Sequence, residues 1–233
     1  MKHLVEVEKG QEGGDGEPFV GPAYWSVLAN AGFPPPIAGL ESCWDVFRFV
    51  SSNLFFYQYL HHYHSMNDGK PGEYVLLTYE EVYDIVLKVG ASIRSCGVEP
   101  GGRCGIYGAN SPEWVISMEA CNAYGVYCVP LYDTLALPFL GLSGAGAVEF
   151  IICHVEIQIA FVEEKNIAEQ LQVLGRSFLS KEEVEKFGLA IYSWDEFLHL
   201  GDDQQFDLPL SMKTDICTIM YTSGTTGDPK GVY

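Results

Sequence analysis

The sequence predicts an α/β fold in which a mainly parallel sheet is flanked by helices. Strand-like apolar runs alternate with helical stretches over residues 74–192. A glycine-rich loop follows a final apolar run, and ligands of α/β proteins bind at the carboxyl ends of such strands. The chain has 233 residues, of which 48% are hydrophobic and 19% charged. That composition is typical of a globular protein with one large domain or two small ones.

The N-terminal part carries the weakest signals. Residues 1–20 are charged and glycine-rich, without the apolar core of a secretory signal, and are expected to form a flexible tail. Residues 21–40 contain three consecutive prolines and predict an extended segment. A short helix is predicted over residues 42–50, with Trp44 and Phe47 on its buried side.

A capping box predicts the first long helix. A short strand over 74–77 precedes it, and Thr78 and Glu81 have the spacing at which each side chain bonds the other residue's backbone N–H. Gly97 is expected to end the helix in a left-handed conformation. Apolar residues recur between them at helical spacing: Val82, Ile85, Val86, Val89, Ile93 and Cys96.

A strand–helix–strand pattern follows and predicts a βαβ unit with parallel strands. The strands are expected at 104–107 and 126–131. Ser111 and Pro112 provide the start of the helix between them, and Gly125 provides its end. The inner face of this helix is predicted to carry Trp114, Met118 and Cys121.

Further elements continue the alternation to the loop. Helices are predicted over 146–153 and 181–187, and strands over 158–162, 189–192 and 216–221.

The loop after the last strand has the residue types that a polyphosphate requires. Glycines allow positive φ and bring backbone N–H groups close to anionic oxygens. Hydroxyl groups and a lysine add further hydrogen bonds and a positive charge, and Pro229 restricts the loop. The predicted ATP phosphate-binding residues are Thr222, Ser223, Gly224, Thr225, Thr226, Gly227 and Lys230.

Other kinds of site fit less well. The loop lacks the Gly-Lys-Ser/Thr order of a Walker A motif, and a flexible linker would need neither the strand before it nor the Pro-Lys-Gly after it. His61, His62 and His64 have no Cys, Asp or Glu nearby in sequence to complete a metal site. Residues 141–145 lack one glycine of a nucleophile elbow, and the glycines at 141–146 have the wrong order for a dinucleotide fingerprint.

At residues 222–231 the sequence resembles the phosphate-binding signature of the adenylate-forming (AMP-binding) superfamily. Four other blocks resemble eukaryotic, especially plant-like, long-chain acyl-CoA synthetases, namely residues 41–47, 104–114, 127–134 and 192–197. The resemblance implies ATP-dependent activation of a long-chain fatty acid to an acyl-adenylate and then to acyl-CoA. ATP, Mg²⁺ and CoA are thereby implied, as are a cytoplasmic location and peripheral contact with the endoplasmic reticulum membrane.

The resemblance also predicts an N-terminal fragment. In the superfamily, the segments that hold the ribose, the hinge and the catalytic lysine lie downstream of this loop, so no catalytic residue is identified here. Residues 21–233 are interpreted as an incomplete AMP-binding domain that is inactive by itself. The alternative is a non-catalytic polyphosphate-binding or interaction fragment. The stretches 51–68 and 135–143 do not fit the family, and we interpret them as misassigned exon boundaries.

Charge and cysteine content exclude other classes. The net charge of −18 argues against a nucleic-acid surface and against electrostatic attachment to anionic lipid. The seven dispersed cysteines are typical of reduced thiols in a cytosolic protein. The uncharged, apolar stretch 134–148 is too short for a helix that spans a membrane.

Overall fold

The structure, a computed structural model, describes residues 3–14, 18–29, 32, 37–65, 71–131, 144–163, 190–222 and 230–233. The chain divides into two compact units, Met1–Leu40 and Glu41–Tyr233. The first unit contains a hairpin. Strand β1 (Leu4–Glu8) pairs antiparallel with β2 (Ala23–Ser26), and a 3-10 turn follows at Val27–Ala29.

This hairpin corrects the expectation of a tail over residues 1–20. Val5 lies opposite Trp25 and Glu6 opposite Tyr24, and cross-strand pairs of β-branched and aromatic residues stabilise such ribbons. The alternation of apolar and acidic residues in β1 was the available signal. The boundary between the two compact units lies after Leu40, not after residue 20.

The second unit begins with helix α1 (Cys43–Asn53), capped by Ser42, whose hydroxyl accepts a hydrogen bond from the Asp45 N–H. Trp44 and Phe47 are buried as predicted. Strands β3 (Gln58–Ser65) and β4 (Pro71–Thr78) then pair antiparallel. The unusual stretch 51–68 therefore supplies the end of α1 and all of β3.

Helix α2 (Tyr79–Ser95) begins at the predicted capping box. The Thr78 N–H donates to Glu81 Oε2 at 2.8 Å, and the Glu81 N–H donates back to Thr78 Oγ1 at 3.3 Å. Gly97 follows the helix with φ of +84°. Most of the predicted stripe is buried, but Cys96 is exposed because it already lies beyond the last helical residue.

The central sheet is parallel, as predicted. Strand β5 (Arg103–Tyr107) lies between β6 (Tyr127–Leu131) and β7 (Ile159–Val162). Helix α3 (Pro112–Tyr124) connects β5 to β6, and helix α4 (Gly144–His154) precedes β7.

Two hydrophobic cores flank this sheet. Alternate residues of β6 enter different cores: Cys128 joins the core formed with α1, α2 and α3, while Val129 and Leu131 join the core formed with α4. The sheet is therefore covered on both faces, as parallel sheets generally are.

The predicted inner face of α3 needs correction. In α3, Cys121 is buried, but Trp114 and Met118 are only partly buried, and Ile116 and Ala120 are more deeply buried. This helix packs against α1 and α2 as well as against β5 and β6, so its buried surface is wider than one stripe.

The strand predicted over 189–192 is wrong for the described residues 190–192, which are irregular. Helix α5 (Trp194–His199) follows, with a capping box formed by Ser193 and Glu196 that the sequence analysis overlooked. The helix predicted over 181–187 and the unusual stretch 135–143 lie outside the described residues.

Contact between α2 and α3 gives a sharp test of the packing. A Cβ on Gly90 would lie 2.1 Å from the Tyr124 ring, and the Tyr124 hydroxyl donates to the Leu87 carbonyl at 3.1 Å. Gly→Ala inside a helix normally stabilises it by about 1 kcal/mol. Here we expect Gly90→Ala to destabilise the protein by about 1–3 kcal/mol through overpacking, measured by urea unfolding.

Two backgrounds serve as controls for this prediction. The loss should persist with Tyr124→Phe, which keeps the ring, and should disappear with Tyr124→Leu, which removes it. An equal loss in both backgrounds would contradict the proposed contact.

Candidate polyphosphate site

The segment before the loop joins the central sheet at the free edge of β6. The Cys128 N–H donates to the Cys217 carbonyl at 3.3 Å, and the Ile219 N–H donates to the Cys128 carbonyl at 2.8 Å. The Thr218 hydroxyl donates to the same Cys128 carbonyl at 2.9 Å. The bridge is parallel, so this segment and β6 run towards the same edge of the sheet.

A short hairpin then holds the two ends of the loop. Strand β8 (Met220–Thr222) pairs antiparallel with β9 (Lys230–Val232), and Thr222 lies directly opposite Lys230. The strand predicted over 216–221 is therefore divided, with one part bonded to β6 and the other to β9. We define the phosphate loop as residues 222–230.

The structure brings together the first and last predicted site residues. Both Thr222 and Lys230 are exposed, and directly paired residues project from the same face of a hairpin. The remaining predicted residues lie outside the described part of the chain: Ser223, Gly224, Thr225, Thr226 and Gly227.

The opposite face of the hairpin is buried. Tyr221 packs with Ile219 of the incoming segment and with Val148 and Ile151 of α4. A Cβ on Gly231 would lie 3.3 Å from the Tyr221 ring. The Gly231 of the sequence motif therefore admits this ring against the hairpin backbone, a packing role that differs from the phosphate contact expected of the loop glycines.

A histidine of α4 forms a hydrogen bond with the buried face of the hairpin. His154, the last residue of α4, makes a 2.5 Å hydrogen bond through Nδ1 with the Tyr221 hydroxyl. Phe150 stacks on the His154 ring, with 5.2 Å between the centroids. Burial raises the pKa of Tyr221, so the phenol stays protonated at neutral pH. Sequence analysis missed His154 because the two partners are 67 positions apart.

The same edge of the sheet carries an acidic residue. Glu163 follows β7, and its carboxylate accepts a hydrogen bond from the Ala109 N–H at 2.8 Å. This contact closes the turn between β5 and α3. Asn110 is exposed and precedes the N-cap residue Ser111. These residues belong to the turn and do not form part of the phosphate loop.

A buried carboxyl group lies in α3. Glu119 is 8% exposed and accepts a hydrogen bond from Asn122 Nδ2 at 3.2 Å. Burial raises the pKa of Glu119. Burial and the nearby Glu119 also raise the pKa of Tyr59 to about 12. Perturbed carboxyl groups often mark functional sites, and sequence analysis gave no signal for this one.

The alternative constellations gain no support from the described residues. His61, His62 and His64 lie in β3. Among the described residues, no group of three His, Cys, Asp or Glu side chains could hold a metal ion. Residues 141–143 lie outside the described residues, and α4 begins at Gly144.

Comparison with known proteins assigns the family. The model of the AMP-binding enzyme family matches residues 59–233. The chain belongs to the AMP-binding enzyme family. Long chain acyl-CoA synthetase 4 from Arabidopsis thaliana is 57% identical over 99% of this chain, which covers 35% of that relative. The chain therefore spans about a third of the length of the curated relatives it matches.

Solved structures confirm the fold expected for this family. The N-terminal domain of FACL13 from Mycobacterium tuberculosis superposes with a TM-score of 0.58 and 21% identity, covering 82% of this chain and 44% of that one. The fatty acyl-adenylate ligase from L. pneumophila, solved with acyl adenylate and pyrophosphate, gives 0.55 and 19%, covering 82% and 30%. No described helix of this family member is long and apolar enough to cross a membrane.

The buried Glu119 predicts a specific pH dependence. Its pKa in the folded state is raised, so the folded state binds this proton more tightly than the unfolded state. The corresponding stability is present below the unfolded pKa of about 4.3 and is lost as pH rises through the folded pKa. Glu119→Gln keeps the shape and the acceptor for Asn122 without the charge.

We therefore expect Glu119→Gln to raise the melting temperature at pH 8 and to have little effect near pH 4.5. The rise should be about 2–4 °C for each kcal/mol of buried-charge cost removed. Asp84→Asn, at an exposed position in α2, controls for the change in net charge. A Glu119→Gln effect that matches Asp84→Asn at both pH values would contradict the burial argument.

Proposed function

We propose that this chain is the phosphate-binding part of a long-chain fatty acid–CoA ligase. The observation that carries the proposal is the closed phosphate loop, whose ends are paired at Thr222 and Lys230 at the carboxyl edge of a parallel sheet. The 57% identity to an Arabidopsis long chain acyl-CoA synthetase supports a long-chain fatty acid as the substrate.

The proposed reaction has two steps. A carboxylate oxygen of the long-chain fatty acid attacks the α-phosphorus of ATP, which gives an acyl-adenylate and releases pyrophosphate. The thiol of CoA then attacks the acyl carbon and releases AMP. Negative charge gathers on the departing pyrophosphate in the first step, and hydrogen-bond donors already aimed at that position lower the barrier.

We assign that role to the phosphate loop. The Thr222 hydroxyl and the Lys230 ammonium group lie on one exposed face of the hairpin. Ser223, Thr225 and Thr226 would add hydroxyl donors, while Gly224 and Gly227 would let backbone N–H groups reach the phosphate oxygens. Mg²⁺ would accompany ATP. The described residues offer no group of three acidic, histidine or cysteine ligands, so we assign the ion no ligand among them.

Domain and location follow from the same assignment. We propose that the second unit, Glu41–Tyr233, forms part of an N-terminal AMP-binding domain. The protein would act on the cytoplasmic side, with peripheral contact at the endoplasmic reticulum membrane where long acyl chains are available.

A second candidate is a non-catalytic module that binds polyphosphate or a partner. The observation that favours it is the pairing of Thr222 with Lys230, which closes the phosphate loop within this chain and therefore allows polyphosphate binding without acyl transfer. Rate enhancement from positioned reactants reaches roughly 7–11 kcal/mol. A module of this kind would bind Mg·pyrophosphate weakly through the local donors of the phosphate loop and would show no such rate enhancement.

A chimera tests the catalytic assignment. This chain would replace the aligned third of Arabidopsis long chain acyl-CoA synthetase 4, and oleate-dependent ATP–pyrophosphate exchange would be measured. We expect exchange by the chimera and a loss of about 100-fold or more with Gly224→Val, since each lost donor costs about 10²–10³ in rate. Lys230→Ala should be milder, because the backbone donors remain.

Gly14→Val is the matched control, because a side chain at Gly14 would meet nothing within 4 Å. A folded chimera without exchange, or one in which Gly224→Val and Gly14→Val behave alike, would refute the proposed role of the loop. The 233-residue chain alone should show no exchange. Exchange by that chain above its Gly224→Val variant would instead show that it is a complete adenylating unit.

A further inference from the structure

Two thiols lie side by side where the segment that leads to the phosphate loop meets the start of α1. Cys43 is the first residue of α1, and Cys217 begins the segment that bonds to β6. Their Sγ atoms are 3.7 Å apart, although the residues are 174 positions apart in sequence. Both residues are exposed at the surface, whereas Cys104, Cys121 and Cys128 are buried.

The surroundings distinguish the two thiols. The Cys217 thiol donates to Asn122 Oδ1 at 3.2 Å. Desolvation and the adjacent Cys43 raise the pKa of Cys217 to about 11. Cys217 is therefore held as a thiol at neutral pH, where the S–H group keeps its hydrogen bond to Asn122.

The backbone already places these sulfurs close to bonding distance. A disulfide needs an S–S separation of about 2.05 Å. The two Sγ atoms are 3.7 Å apart, so they must approach each other by about 1.7 Å. Main-chain bonds from Cys128 hold the Cys217 segment, and Ser42 fixes the start of α1.

We propose that Cys43 and Cys217 are an oxidative modification site that forms a reversible intramolecular disulfide with a hydroperoxide as oxidant. The Cys43 thiolate attacks one peroxide oxygen, the O–O bond breaks, and hydroxide leaves with a sulfenic acid at Cys43. The hydroxide takes the Cys217 proton, and the Cys217 sulfur then displaces the sulfenic hydroxyl, which leaves as hydroxide and is protonated to water. Two thiols and one hydrogen peroxide give one disulfide and two waters.

The disulfide would link the start of α1 to the segment before the phosphate loop. It would thus restrain the unfolded chain across most of its length and hold the residues that precede Thr222. This property is independent of the proposed ligase activity, because it depends only on the two thiols and their neighbours.

Peptide mapping tests the proposal directly. Trypsin separates the two cysteines cleanly, since residues 10–48 and 214–230 form peptides with one cysteine each. The reduced chain, freed of metal with a chelator, would be treated with one equivalent of hydrogen peroxide and then alkylated. Expected are the linked pair of these peptides in mass spectrometry, a loss of two thiols per chain, and recovery of both thiols with dithiothreitol.

Variants and a stability measurement extend the test. Cys43→Ser and Cys217→Ser should each abolish the linked pair, while Cys153→Ser, at another exposed cysteine, should retain it. Oxidation should raise the melting temperature of the unsubstituted chain, because the bond closes a long loop. That rise should be absent from both serine variants.

Several results would overturn the proposal. Oxidation in a mixture of ¹⁴N- and ¹⁵N-labelled chains could give linked peptides of mixed label, which would show a bond between chains. Cys43 and Cys217 could remain alkylated while other thiols are lost, or could stop at sulfinic acid. Zinc added in place of the chelator could protect both thiols from alkylation while the chelated chain gives no linked peptides with hydrogen peroxide, which would indicate a metal site instead.

Discussion

The candidate site depends on the hydrogen bonds that add the segment 217–219 to the edge of β6. Cys128 provides both a donor and an acceptor for them, and the Thr218 hydroxyl reinforces the same carbonyl. Edge strands of a sheet present such unpaired groups. Here they fix the direction of the incoming chain, so that the phosphate loop begins at the carboxyl edge of the parallel sheet. Each later feature of the site follows from that direction.

The alternation of buried and exposed side chains after this attachment decides which residues of the hairpin face a ligand. Ile219 and Tyr221 face the α4 core, so Met220 and Thr222 face outwards. The hydrogen bond between His154 and the Tyr221 hydroxyl fixes the Tyr221 ring, and Gly231 leaves space for it. The side chains offered to a ligand are therefore supported by a packed layer beneath them, which is the arrangement that preorganised binding sites require.

Local signals in the sequence predicted more than long-range ones. The capping box at Thr78, the Ser111 cap and the βαβ unit were confirmed because their determinants lie within a few residues of each other. The β1–β2 hairpin and the division of the 216–221 strand depend on which backbone lies alongside, and single-sequence patterns do not contain that information. Likewise, the Thr222–Lys230 pairing and the His154–Tyr221 bond arise only when the distant segments are folded together. The roles of residues 223–227 in binding phosphate stay predictions.

Titration of the ¹⁵N-labelled chain with Mg·pyrophosphate tests the central claim, that a loop held at the sheet edge binds the polyphosphate. We predict that the largest amide shifts occur within residues 222–230 and that the Ile219 amide, bonded to Cys128, exchanges slowly with solvent before and after binding. Saturable shifts concentrated elsewhere in the chain, together with a rapidly exchanging Ile219 amide, would contradict the account.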